Sequence, residues 1–311
     1  MNIEQIRLVL VVGAGTMGQQ ISLQCAMHGY DVVIYDLSHD SLKNAMTQIK
    51  AYAAQLVTEG HLIQEVADTV LARITFTNNP KEAAEKADLL SESVPEDPEL
   101  KAKVFAQFNK LCPPRTIFTT NTSGLVPSMF AEATGRPSQF AAFHFHQIVW
   151  IANVVDIMPH PRTSKETVDL LHAFAKRIGQ IPIFVRKENP AYVFNAMYNA
   201  WNEAAIKLLI KGVASVEDID RAWMGVTKMP MGPFGGLDLV GLETVWRIAD
   251  HMAKQTKDPE YQAMAAFFKD YVDKDWLGVK SGRGFYTYPN PAFQQPGFLT
   301  GENQQKKNNR G

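Results

Sequence analysis

The stretch Phe143-His144-Phe145-His146 sets two histidines two residues apart, so that on a strand both face the same side. Imidazole titrates close to neutral pH and suits a base that takes and returns a proton. Asp156 lies in the apolar run Val154-Val155-Asp156-Ile157-Met158. A carboxylate buried without a partner is costly, so this one needs a histidine or a cationic side chain beside it. Asn121 and Ser123 follow another short apolar run, and Asn195 falls near the start of a long helical pattern. Hydroxyls and amides of this kind can hold a reacting oxygen. Base, acid and oxygen-holding groups are what removing hydrogen from an alcohol requires. Each also has an ordinary structural reading: a packed histidine, a salt bridge, turn formers, a helix-surface amide.

Such groups need a frame. Val9-Leu10-Val11-Val12 runs into Gly13-Ala14-Gly15-Thr16-Met17-Gly18, and residues 16–29 read as a helix. This is a strand, a tight turn and a helix N-terminus, the form that cradles a pyrophosphate. Gly13 permits the turn, Gly15 brings bare backbone to the phosphates, and Gly18 lets helix and strand pack closely. Thr16 and Met17 complete the stretch assigned to the cofactor. A second strand over residues 31–36 ends in Asp36, 18 residues beyond Gly18, where an acid holds a ribose 2′-hydroxyl. No arginine follows in Leu37-Ser38-His39 to take a 2′-phosphate, so the cofactor reads as NAD.

Further strands are predicted at 74–77, 88–94, 117–119, 140–144, 153–158 and 181–185, with helices over 38–72 (broken near Gly60), 81–86, 99–111 and 163–178. Strands alternating with helices give an α/β fold, a Rossmann-type doubly wound sheet. Beyond Lys187-Glu188-Asn189-Pro190 the pattern is helical, starting with one long segment over 190–211. The expected organisation is a nucleotide-binding domain over 1–188, an all-helical C-terminal domain over 189–296 and a flexible polar tail over 297–311.

The chain has 311 residues, 31 Lys+Arg against 32 Asp+Glu and a formal net charge of -1. That balance gives no reason to expect nucleic acid or an anionic membrane as partner. No apolar run is long enough to cross a bilayer, and no signal-peptide pattern opens the sequence. Cys25 and Cys112 are too few for a disulfide framework, which with the missing signal points to the cytoplasm. No metal ligand set is singled out.

The ordered stretches GAGTMG at 13–18, VPEDPELK at 94–101, TTNTSG at 119–124, FAAFHFH at 140–146, KENPAYVFN at 187–195, MGPFGGLDLVGLET at 231–244 and KSGRGFYTY at 280–288 resemble the 3-hydroxyacyl-CoA dehydrogenase family. The likeness spans all but the tail. It implies NAD-dependent, reversible oxidation of a 3-hydroxyacyl-CoA thioester, as in fatty acid β-oxidation. It matches His144 to the catalytic base, Ser123 and Asn195 to groups on the reacting or thioester oxygen, and Asp156 to the acid that steadies the histidine. It places Glu96, Lys101 and Asn121 along the NAD or CoA crevice, and makes the helical domain the surface of a homodimer.

The chain departs from that pattern in places. Asp156 stands where the family has glutamate, one methylene longer. His146-Gln147-Ile148-Val149-Trp150 replaces a loop that usually reads FNP after HF, with Trp150 expected to reshape the substrate mouth. Ala191 and Ala196 stand where glycine and arginine are common. Two other readings stay open on the sequence: the same chemistry on a non-CoA hydroxy acid, as in gulonate or carnitine dehydrogenases, and an NAD-binding protein without turnover.

Overall fold

A computed structural model of the chain describes residues 2–302. One compact unit runs to Phe194 and a second starts at Asn195. The first holds an eight-stranded sheet in the order β3-β2-β1-β4-β5-β6-β7-β8. In sequence the strands are β1 (Leu8–Val12), β2 (Asp31–Tyr35), β3 (Ile74–Thr77), β4 (Leu89–Glu92), β5 (Ile117–Thr120), β6 (Phe140–Phe145), β7 (Val154–Pro159) and β8 (Ile181–Phe184). Neighbours are parallel except β6 and β7. The connection over 146–153 is far too short for a parallel crossover, so β7 returns as a hairpin.

Alternation along β1 divides the core between the two faces of the sheet. Val9 and Val11 join one cluster with α1 (Thr16–Met27), α2 (His39–Thr58) and α6 (Lys165–Arg177); Leu10 and Val12 join another with α4 (Pro80–Ala84) and α5 (Pro98–Asn109). α3 (Gln64–Ala72) packs on the α1 side. Strand order reverses between β1 and β4, and there the carboxyl ends of the parallel strands open a crevice for a nucleotide.

The second unit is helical: α7 (Phe194–Ile210, its first residue in the first unit), α8 (Val216–Thr227), α9 (Pro233–Val240), α10 (Leu242–Thr256) and α11 (Pro259–Asp273). Phe234, Leu242 and Phe268 sit at its centre without exposure. Ser215 caps α8 by accepting the Asp218 N–H at 3.1 Å. No helix among the described residues is long and apolar enough to cross a membrane.

Two expectations are corrected. α7 starts at Phe194 rather than at residue 190. The Asn189 side chain donates to the carbonyls of Pro190 and Tyr192, and Ala191 and Tyr192 take left-handed backbone at φ 64° and 56°, so these residues form a loop. The loop precedes the division between the two compact units, which falls after Phe194. The expected tail does not begin at 297. Phe298 is buried in the core of the second unit, its carbonyl accepting Arg221 Nε at 2.6 Å and its ring lying under that guanidinium. Residues 303–311 of that tail lie outside the described residues.

Candidate active site

The glycine turn is shaped by close approach. Gly13 has φ 111°, and a Cβ there would sit 2.5 Å from the Ser93 carbonyl oxygen. A Cβ on Gly18 would sit 1.9 Å from the Gly13 oxygen, so only glycine allows α1 to lie this near the turn. A Cβ on Gly15 would meet nothing within 4 Å, because that backbone faces open space. Thr16 is exposed at the first position of α1, while Met17 packs partly against the core. Unpaired N–H groups at a helix start beside open space fit a pyrophosphate. Asp36 Oδ2 accepts the Ala14 N–H at 2.9 Å and Oδ1 accepts the Ser38 N–H at 2.9 Å. The acid that would hold a ribose hydroxyl is thus pinned to the turn itself.

Past the switch in strand order, β4 and β5 end in a polar lattice. Glu96 Oε1 accepts the hydroxyl of Thr122 and the N–H groups of Ser123 (3.1 Å) and Gly124 (3.0 Å). Burial pushes the Glu96 carboxyl up, but the Thr122 hydroxyl, the Lys101 charge and the Gly124 N–H outweigh it and hold it below the usual range. Lys101, expected along the crevice, is 1% exposed. Its Nζ lies 2.7 Å from Glu92 Oε1 and 3.2 Å from Glu96 Oε2. Glu92 is an acid inside a fully buried strand, and it draws the ammonium inward. Lys101 therefore braces Glu96 and the Thr122-Ser123-Gly124 turn from beneath. Asn121 Oδ1 accepts the Phe145 N–H at 2.8 Å, tying the end of β5 to the end of β6. Ser123 is exposed on the turn.

His144 and Asp156 are direct cross-strand partners in the antiparallel pair β6–β7. His144 Nδ1 lies 3.1 Å from Asp156 Oδ2, so the shorter acid reaches the ring without a bridging water. His146 Nε2 lies 3.1 Å from the same oxygen. A carboxylate only accepts, which puts protons on both ring nitrogens that face it. In neutral His144 the lone pair then belongs to Nε2. Burial pushes the Asp156 carboxyl up, and the hydrogen bonds and charges of the two histidines more than reverse this, leaving it below the usual carboxylate range.

Tyr192 completes the wall. Its ring stacks on His144 at 4.6 Å between centroids and 14° between planes, and its hydroxyl donates to the Thr122 carbonyl at 2.7 Å. Tyr192 thereby links the serine-bearing turn to the histidine. Left-handed backbone at two successive non-glycine residues costs on the order of 1–2 kcal/mol each. One of them, Ala191, holds the position where the family commonly has glycine. The helix expected over 190–211 hid the loop that carries Tyr192; its neighbour Ala191 was the available signal. Trp150 lies against Tyr52 at 5.3 Å and packs on the core of the first unit. Asn195, the second residue of α7, belongs to the second unit.

The chain matches two family models: the 3-hydroxyacyl-CoA dehydrogenase NAD binding domain over residues 8–189 and the C-terminal domain of the same family over 192–288. It is 31% identical over 284 residues to a probable 3-hydroxybutyryl-CoA dehydrogenase of Bacillus subtilis, covering 91% of this chain and 98% of that protein. Hydroxyacyl-coenzyme A dehydrogenase, mitochondrial, of Sus scrofa is 32% identical over 289 residues, with 91% of each chain covered. Among solved structures, a diketoreductase is similar at 36% identity and TM-score 0.85, covering 91% of this chain and 99% of its own. The (S)-3-hydroxybutyryl-CoA dehydrogenase of Ralstonia eutropha is similar at 30% identity and TM-score 0.82, covering 91% and 99%.

Proposed function

Because the chain belongs to the 3-hydroxyacyl-CoA dehydrogenase family, we propose that it oxidises (S)-3-hydroxyacyl-CoA thioesters to 3-oxoacyl-CoA, reversibly, with NAD as cofactor. The observation that carries this reading is the buried His144–Asp156 pair, at 3.1 Å, on the strand that follows the nucleotide-binding half of the sheet. NAD, when bound, supplies the acceptor for the substrate hydride. The turn at Gly13, Gly15, Thr16, Met17 and Gly18 holds its pyrophosphate, and Asp36 a ribose hydroxyl. Glu96 and Asn121 shape the crevice, and Lys101 supports it through Glu96.

His144 Nε2 takes the proton of the 3-hydroxyl. Asp156 holds Nδ1–H, fixes the ring's orientation and steadies the cation that results. Tyr192 covers the imidazole face and keeps water from it. Ser123 and Asn195 hydrogen-bond the reacting or thioester oxygen. The second unit forms a homodimer, a reading supported by apolar side chains left exposed on its helices, among them Met197, Leu239 and Ile248. A reducing compartment, the cytoplasm, suits the two free thiols of Cys25 and Cys112, which burial pushes up to about 12 and makes inert. The similarity to a diketoreductase supports a second reading, the same chemistry on a dicarbonyl substrate or hydroxy acid without CoA.

The test is NADH consumption with acetoacetyl-CoA beside free 3-oxo acids and diketones. Turnover of the thioester is expected, falling about 10²–10⁴-fold in His144→Gln with NAD binding retained. Protein that binds NAD yet leaves NADH absorbance unchanged with the thioester rules out the CoA reading, and turnover of the free compounds alone selects the second.

A further inference from the structure

The mechanism uses one of the two histidines on Asp156, and the other is placed just as closely. Both rings reach the same oxygen, Oδ2, at 3.1 Å, while Oδ1 is buried and has no hydrogen-bond partner among the described residues. His144 and His146 are two residues apart on β6 and so face one side of the sheet, with centroids 4.8 Å apart and planes at 72°. His146 is also held from outside by an edge contact with the Phe194 ring at 5.3 Å. The side chains of His144 and Asp156 are 5% and 0% exposed, and that of His146 12%.

Other charged and titratable groups give these rings little help. Among the described residues the ion-pair partners of Asp156 are the two histidines, with no lysine or arginine. From the loop before α7 comes the Tyr192 phenol, whose proton burial holds firmly in place. Glu96 and Glu92 make themselves felt at Tyr192, and each is engaged by Lys101. The competition is therefore local: two imidazoles, one carboxylate oxygen.

We propose that His146 is a positioning residue for proton transfer: by sharing Asp156 Oδ2 with His144 it limits how strongly His144 holds the proton taken from substrate. Two physical effects act in the same direction. A second N–H on Oδ2 draws off part of the negative charge that stabilises the His144 cation. A proton on His146 sets a like charge beside His144, so the two rings take up protons one after the other rather than independently. His144 then returns its proton more readily, and the lower pH limit of oxidation lies further down than a simple histidine–carboxylate pair would set it. The proposal rests on the reading of His144 as the base.

The experiment uses the full-length protein with His146→Phe, which removes the donor and keeps a ring against Phe194, and His146→Gln, which keeps an N–H but carries no charge. The lower limb of the kcat/KM–pH profile is expected to move to higher pH by about half a unit to one unit in His146→Phe and by less in His146→Gln. A limb that stays in place or moves down in His146→Phe overturns the proposal. Imidazole-nitrogen NMR titration of the wild type reads the sharing without turnover: the two rings should titrate in separate, linked steps, and in His146→Phe the His144 signals should titrate in a single step at higher pH. Independent one-step curves for both wild-type rings also overturn it, even where the variants fail to fold. Linked curves in a protein that turns over nothing would instead count against the dehydrogenase reading.

Discussion

Asp156 in the first unit and Asp220 in the second are both fully buried, yet their surroundings push them in opposite directions. Asp220 has more hydrogen bonds: from the N–H groups of Phe234 (2.9 Å) and Gly235 (3.0 Å) at the start of α9, and from the Tyr286 hydroxyl at 2.9 Å. Burial nevertheless drives its carboxyl up to about 6, and the negative Asp238 adds to the rise. Asp156 has two bonds and lies below the usual range. What separates them is whether the donors can carry charge. Two imidazoles can become cations beside Asp156, whereas backbone N–H groups and a phenol stay neutral around Asp220. Asp238 repeats the second pattern, accepting the N–H groups of Phe285 and Tyr286 and the Tyr288 hydroxyl, and burial raises it too. The first unit keeps its carboxylate between two side chains that can take up charge. The second uses its carboxylates as pins that join α8, α9 and the segment over 285–288.

Substitutions can break this contrast. Asp156→Asn should act hardest, and on turnover: the amide cannot balance a cationic His144, so kcat should fall about 10²–10⁴-fold with the fold retained, as read by steady-state rates beside circular dichroism. A loss of only a few-fold would place Asp156 with the structural pins. Asp220→Asn should act on stability, costing about 1–3 kcal/mol in urea unfolding, because an amide NH₂ must face an N–H or hydroxyl donor. That variant also tests the sign of the pH effect. With the folded value raised to about 6 from an ordinary 3.8, the folded chain holds the proton more tightly than the unfolded one. The stability this contributes is present below pH 3.8 and is lost as pH rises through about 6. The wild type should weaken across that window, and Asp220→Asn should flatten that part of the curve. Tyr288→Phe should act least, removing one neutral donor from Asp238 for about 0.5–1.5 kcal/mol and leaving the pH optimum of turnover unmoved.

Much of the site was legible because local rules govern it. The glycine turn, Asp36 and the run of strands follow from backbone sterics and alternation. His144, Asp156 and Ser123 stand at strand ends or within an apolar strand, where polar residues need a reason. Side chains that leave their local pattern were harder to see. Lys101 is expected along the crevice, but the buried charge of Glu92 turns it inward beneath the turn. Tyr192 reads as part of a helical stripe until the left-handed loop at 191–192 lays its ring on His144. Phe298 reads as part of a polar tail until the second core receives it.

By itself the sequence determined the alternation of strands and helices, the NAD-type turn and the presence of residue types able to move a proton, since each depends on neighbours within a few positions of the chain. Only the tertiary structure decided which residues meet. Pairing His144 with Asp156 requires the register of β6 on β7, and a slip of one residue would turn the acid to the other face of the sheet. That register sets one carboxylate oxygen between two histidines, a relation between strands that no spacing along the chain contains.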